Sequence, residues 1–222
     1  MSNLHVAHRV PSGSHRALPL LLLAILLQLL AGCITHKAIQ EPPTVPPIEK
    51  INWADHVREL TLLSDWQLEG KIGIKQKDDG GSAYINWTQS GDSFHITLSG
   101  PLGAGTTIIS GNDNGAKLES ASDGSFIAES PEELLYTHTG WYIPLHNLLY
   151  WVKGLPEPRT PADTTYTARG YISSLNQGPW QLKFERYKRD LGVTLPHKVK
   201  METQDLKVTL VIKDWNSLSG EE

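Results

Sequence analysis

Residues 65–98, DWQLEGKIGIKQKDDGGSAYINWTQSGDSFHITL, decide the fold. Apolar side chains return with a period of two. Trp66 and Leu68 lead into 71–74, then come Tyr84, Ile85 and Trp87, then Phe94, Ile96 and Leu98. That period puts alternate side chains on one face of a pleated chain, so each run reads as a half-buried β-strand. Lys77-Asp78-Asp79-Gly80-Gly81 and Gln89-Ser90-Gly91-Asp92 separate the runs as hairpin loops.

The pattern continues downstream. Gly100-Pro101-Leu102-Gly103 breaks the chain, a strand follows over 106–109, and Asn112-Asp113-Asn114-Gly115 is a strong turn signal. Shorter strands are expected over 117–120 and 125–128. Ser130 then reads as an N-cap, with Pro131 in the first turn beside Glu132 and Glu133, opening a helix that ends at Gly140. A second short helix spans 145–153 and stops at Gly154. After a proline-rich 155–161, strands resume over 166–172, 180–187, 193–201 and 206–214. Upstream, Trp53, Val57, Leu60 and Leu63 form one helical face that starts at Asn52. So many antiparallel strands curl or close to remove exposed edges. With helices in mid-sequence, the expectation is mainly β: an unclosed antiparallel β-barrel whose mouth is plugged by a short helical lid, a single domain over 52–222.

The amino-terminus reads as an export signal. Arg9 and Arg16 precede an apolar run over 17–31, which ends in Leu30-Ala31-Gly32-Cys33. The run is shorter than the roughly 20 residues a bilayer-crossing helix needs. Small residues before the cysteine let a peptidase bring the backbone into its groove, and the cysteine provides a thiol that can take a diacylglycerol. Residues 1–32 are therefore expected to be a cleaved lipoprotein signal peptide, and Cys33 the N-palmitoyl and S-diacylglycerol cysteine. Residues 33–51, with Pro42, Pro43, Pro46 and Pro47, read as an extended tether. Cys33 is the only cysteine, so no disulfide staples the domain. Of 20 basic and 24 acidic residues the signal holds two and none, which leaves a formal charge of −6 on the mature chain. That balance argues against nucleic acid as a partner and against an electrostatic grip on anionic lipid, so lipid on Cys33 is expected to provide the membrane attachment.

No constellation requires catalysis. Gly91-Asp92-Ser93 begins like a lipase serine signature, but it lies between strands and no suitably spaced aspartate and histidine follow. The glycines of 100–105 precede a strand rather than the helix start that phosphate binding needs. The histidines show no metal-ligand spacing. The chain is not expected to be an enzyme, and neither metal nor cofactor is expected. Seven tryptophans stand out. They suit either ordinary core filling or a cavity shaped for acyl chains. Leu102, beside Pro101 at a loop tip, reads either as a tucked turn residue or as an exposed apolar wedge.

Taken in order, Leu30-Ala31-Gly32-Cys33, Trp66-x-Leu68-x-Gly70, Trp87-x-Gln89, Gly100-Pro101-Leu102-Gly103, Gly140-x-x-Ile143-Pro144-Leu145, Leu149-Tyr150-Trp151-Val152-x-Gly154-x-Pro156, Gln177-x-x-Trp180, Leu195-Pro196 and Asp214-Trp215 resemble the LolB family of outer-membrane lipoprotein receptors. The resemblance implies a LolA/LolB-like half-barrel with an apolar cavity. It implies a receptor that takes lipoproteins from a LolA-type periplasmic carrier and inserts them into the outer membrane without ATP. It also implies a membrane-insertion loop at Leu102 with Pro101, and a cavity and lid built from Trp87, Leu98, Ile143, Leu148, Trp151, Trp180 and Trp215. Trp66 and Trp141 are left without a role. Partners would be the loaded carrier, outer-membrane lipid and the acyl chains of the cargo, with the receptor a monomer. Ile34, in place of an aspartate after the lipidated cysteine, implies the outer membrane, with the domain on its periplasmic face. Two other readings stay open: an assembly lipoprotein that binds protein partners, or a carrier of another amphiphile such as a glycolipid.

Overall fold

The computed structural model describes residues 48–77, 79–100 and 105–218. Cys33, most of the tether, Pro101 and Leu102 lie outside the described residues. In chain order the elements are α1 (Trp53–Leu62), β1 (Asp65–Gln76), β2 (Asp79–Ser90), β3 (Ser93–Ser99), β4 (Thr106–Asn112), β5 (Gly115–Ser120), β6 (Gly124–Ala128), α2 (Pro131–Thr139), α3 (Leu145–Trp151), β7 (Ala162–Tyr166), β8 (Ile172–Gln177), β9 (Trp180–Glu185), β10 (Lys188–Asp190), β11 (Val193–Leu195), β12 (Lys198–Glu202) and β13 (Leu206–Asn216).

Eleven strands form one sheet in the order β6-β5-β4-β3-β2-β1-β13-β12-β9-β8-β7, while β10 and β11 make a separate ribbon. The first six strands are a meander. The last strand, β13, returns to pair antiparallel with β1 and β12, which joins the two halves of the chain. β6 and β7 are the two edges and do not pair with each other. The sheet is therefore antiparallel and unclosed, as the strand pattern led one to expect. α2 and α3 lie in the chain between those two edge strands.

Curvature has a local cause at Gly70. The β1–β13 register shifts between Glu69 and Gly70, a β-bulge. A Cβ on Gly70 would lie 2.2 Å from the Val211 carbonyl oxygen, so only glycine lets β13 come this close. Bulges bend a strand and increase its twist. The spacing of Trp66, Leu68 and Gly70 thus combines two inward core residues with the bend that curls the sheet around them.

Three expectations need correction. The β1–β2 loop is shorter than read: Gln76 pairs with Asp79, and Gly80 and Gly81 continue β2 opposite Lys75 and Ile74. Residues 166–172 are not one strand but a hairpin, because β7 stops at Tyr166 and β8 starts at Ile172. β7 is an edge strand with little apolar side chain, so its sequence carries little β signal, and Gly170 turns the chain with φ +95°. Residues 193–201 are also not continuous. Pro196, which has no N–H for a ladder, separates β11 in the ribbon from β12 in the main sheet.

An apolar cavity beneath a helical lid

The inward faces of the strands do not fill the curl of the sheet. A cavity of about 250 Å³ remains. Its strand walls are Ile72, Ile74, Ile85, Trp87, Ile96, Leu98, Thr107, Ile109, Leu118, Met201, Val208 and Leu210. The lid side is Leu135 of α2, Trp141 and Ile143 of the connection, Leu145 and Leu148 of α3, and Val152. Among the described residues Thr107 supplies the only hydroxyl, and no charged side chain lines the space. A void lined in this way offers water fewer than the roughly two to four polar partners it needs and favours apolar contents.

Short helices need help to hold a lid in place. Ser130 caps α2 by accepting a 3.1 Å hydrogen bond from the Glu133 N–H. Gly140 ends it in the left-handed region at φ +71°, its N–H donating to the Tyr136 carbonyl. Glu132 Oε1 accepts the His146 backbone N–H at 3.1 Å and lies 2.9 Å from His146 Nδ1, so α2 supplies the cap that Pro144 cannot give α3. The connection is fastened to the barrel where Trp141 Nε1 donates to Gln76 Oε1 at 2.8 Å.

The exit of the lid is fixed more firmly. Trp151 Nε1 donates to Gln177 Oε1 at 2.8 Å, and Gln177 Nε2 donates to the carbonyls of Glu157 and Thr160 at 2.7 and 2.8 Å. Gly154 turns the chain at φ +79°, and a Cβ there would lie 2.7 Å from Tyr187 Oη. Between them, buried Lys153 reaches back to α1 and donates to the carbonyls of Leu60 and Leu63 at 3.0 and 3.2 Å. Burial pulls its pKa down to about 8.

Of the residues expected at the site, Trp87, Leu98, Ile143 and Leu148 line the cavity. Trp151, Trp180 and Trp215 are placed elsewhere. Trp151 and Trp180 pack on each other with ring centroids 5.8 Å apart, beside Gln177. Trp215 packs edge-on against Trp66 at 5.2 Å, and Trp66 meets Trp87 at 5.2 Å. These rings are core, because each is clasped between neighbouring strands or bonded through its indole. Trp87 alone belongs to both groups; its Nε1 donates to Gln89 Oε1 at 3.1 Å. Trp141 was left without a role by the sequence, yet it lines the cavity and holds the lid. Apart from Leu98, Ile143 and Leu148, the aliphatic lining was missed as a site. The period-two positions were its only signal, and that signal is shared with ordinary core.

An unclosed half-barrel around a hydrocarbon-lined cavity, roofed by two short helices, defines a binding protein for apolar chains. Residues 64–215 match the family of the outer membrane lipoprotein LolB. The chain is 40% identical over 201 residues to the outer-membrane lipoprotein LolB of Pseudomonas aeruginosa, covering 89% of this chain and 96% of that one. It is 41% identical over 197 residues to the LolB of Ectopseudomonas mendocina, covering 88% and 95%. Among solved structures, a DUF1329 family protein from Desulfovibrio piger shares the fold with a TM-score of 0.52 at 7% identity, over 76% of this chain and 92% of that one. The chain belongs to the LolB family and is an outer-membrane lipoprotein.

Proposed function

We propose that the protein receives lipoproteins from a LolA-type periplasmic carrier, shelters their acyl chains in the cavity, and releases them into the outer membrane. One observation carries this reading: a cavity walled by hydrocarbon under two short helices whose connection is hydrogen-bonded to the barrel at Gln76. Each methylene moved out of water is worth about 0.8 kcal/mol. Acyl chains therefore leave a carrier only for another apolar surface, and they leave that surface for a bilayer. No bond is made or broken, so no cofactor takes part.

The dimensions bear on mechanism. A volume of about 250 Å³ is slightly below the ~300–1,000 Å³ of ordinary small-molecule pockets. It takes a length of one chain, not several. Loading a lipoprotein then requires the α2–α3 connection to move outward. That also keeps the receptor from becoming a trap, because the closed cavity favours expulsion into the membrane. In this reading Cys33 holds the domain at the destination, and Leu102 with Pro101 is the wedge that touches the bilayer. The base of that loop is tied where the Gly100 N–H donates to the Gly105 carbonyl at 3.1 Å.

The test uses the lipidated protein in vesicles, challenged with carrier loaded with a radiolabelled lipoprotein. Leu98→Glu sets a carboxylate in the cavity wall and should abolish uptake while the circular dichroism spectrum is retained. Uptake unchanged by Leu98→Glu overturns the cavity reading. Failure of the wild type to take lipoprotein, together with uptake of glycolipid, assigns the cavity to a different amphiphile. Failure with both leaves a scaffold lipoprotein.

A further inference from the structure

The side of the sheet that faces away from the cavity has a composition of its own. On β1, Ile72 and Ile74 point inward, so Lys71 and Lys75 point out. By the same alternation Lys207 of β13, Lys200 of β12 and Lys183 of β9 lie on that outer face. The register sets Lys75 directly opposite Lys207, and Lys200 directly opposite Lys183. Like charges in facing cross-strand positions destabilise a sheet. Glu185 pairs with Lys200 at 2.7 Å and Glu202 with Lys207 at 3.3 Å, whereas Lys75 and Lys183 form no ion pair among the described residues. This basic face sits on a chain whose mature form is acidic overall. Glu69, Glu185 and Glu202 lie among these lysines, while Asp92, Asp113, Glu129 and Glu132 gather around a separate pocket at the start of α2.

The face also has a groove. Glu69, Lys71, Tyr84, Asn86, Ser99 and Lys213 line an open depression over the bulge at Gly70, two lysines to one carboxylate. Tyr84 is half exposed, and Lys71 Nζ lies 4.7 Å above its ring. The groove runs to Ser99, the last residue of β3. A tyrosine among lysines on a polar, open surface is the chemistry of a membrane interface, where aromatic rings sit at headgroup level and ammonium groups meet phosphates.

We infer that this outer face of β2, β1, β13, β12 and β9 is a docking surface for anionic phospholipid, against which the lipid-anchored domain lies. The inference rests on the protein being an outer-membrane lipoprotein and not on cargo transfer, so the two fail separately. Lysine attraction to an anionic surface decays within about 10 Å at 0.1 M salt. Only a domain already tethered to the membrane comes close enough to use it. The tether sets the distance and the lysine face sets the orientation, with the acidic pocket on a different part of the sheet.

The experiment uses the mature lipidated protein in two kinds of vesicle. One is phosphatidylethanolamine with phosphatidylglycerol, the other phosphatidylcholine alone. Lysines are labelled with a water-soluble amine reagent and each site's rate is read by peptide mass spectrometry. Lys75, Lys183 and Lys207 should label about fivefold more slowly in the anionic vesicles. Lys117, which lies on β5, should not change. Salt at about 1 M, where the Debye length is about 3 Å, should remove the protection. In the triple variant Lys75→Gln, Lys183→Gln and Lys207→Gln, Lys71 and Lys200 should lose their protection too. These side chains lie on the outer face and all three sites sit in like-charge pairs, so the variant should fold, and its melting temperature checks this. Equal rates in both vesicles, or equal slowing at Lys117, overturns the inference.

Discussion

Trp141 and Gln76, far apart in sequence, meet through one hydrogen bond: the indole Nε1 donates to the side-chain oxygen at 2.8 Å. The bond joins the lid connection to the end of β1. It spans the segment that must move if the cavity is to admit more than one chain. A part-buried hydrogen bond contributes a net ~1 kcal/mol, enough to bias a lid without locking it. Gln76→Met removes the acceptor, keeps the length of the side chain and leaves the Trp141 ring in the cavity wall. We expect a fluorescent fatty acid to enter and leave about fivefold faster in that variant, with a melting temperature close to wild type. Unchanged rates would show that the lid is held by its packing alone.

The core tryptophans should separate by their polar partners. Trp151 donates to buried Gln177, while Trp215 Nε1 is buried without any partner among the described residues. Trp151→Phe loses a hydrogen bond while Gln177 Oε1 keeps the Glu157 N–H at 3.0 Å, so the cost beyond the packing term is about 0.5–1.5 kcal/mol. Trp215→Phe loses packing only and removes an unsatisfied N–H. In urea, Trp151→Phe should therefore unfold at clearly lower denaturant than Trp215→Phe. Neither ring lines the cavity, so fatty-acid affinity should change little in either variant.

The contrast between those tryptophans also marks what was legible in the sequence. The period of two over 65–98 exposed the strands because one face of each is buried and the other is wet. The caps of α2 were legible because Ser130, Pro131 and Gly140 act through their own backbone. β7 was not legible, since an edge strand carrying Ala162, Asp163, Thr164 and Thr165 buries too little to leave a pattern. The cavity was legible only in part. Ile96 and Phe94 have the same period and chemistry, yet Ile96 faces the void and Phe94 does not. Which inward residues meet a neighbour and which meet empty space depends on the curl set by Gly70 and on where Trp141 lands. Neither of these is a local property of the chain. The tryptophans drew attention by size, and size is what fits most of them to the core instead.

Lys153 offers a prediction in pH. Its amine is buried against the carbonyls of Leu60 and Leu63, and burial brings its pKa from 10.5 down to about 8. Between those values the unfolded chain holds a proton that the folded chain has lost. Stability therefore rises with pH across that window, by at most about 1.4 kcal/mol per pH unit. The gain is complete above the unfolded pKa and is lost as pH falls through about 8. Lys153→Met abolishes this dependence and orphans two carbonyls. Urea midpoints at pH 7.5 and 10 should differ more for wild type than for Lys153→Met, to first order in the other lysines. A direct check is the Lys153 side-chain resonance by NMR, with a midpoint near 8 expected.

The final prediction separates receiving from delivering. Leu98 is in the cavity wall, whereas Leu102 falls in the chain between Gly100 and Gly105, whose N–H and carbonyl are hydrogen-bonded to each other. In the proposed mechanism the first handles acyl chains and the second handles the bilayer. Leu102→Glu leaves the cavity intact, so transfer of lipoprotein from loaded carrier to this protein should run at the wild-type rate. The glutamate would have to enter the membrane interface for delivery to proceed, and a carboxylate there loses the apolar gain of a leucine, about 2 kcal/mol, and adds a desolvation cost. Delivery from the preloaded protein into vesicles should slow at least about tenfold, since that is the rate effect of 1.4 kcal/mol. Leu102→Met, which keeps an apolar tip, should deliver normally. If Leu102→Glu delivers at the wild-type rate, the loop is not the wedge. If it fails already at uptake, the loop belongs to the carrier contact and the division of labour proposed for the two leucines is wrong.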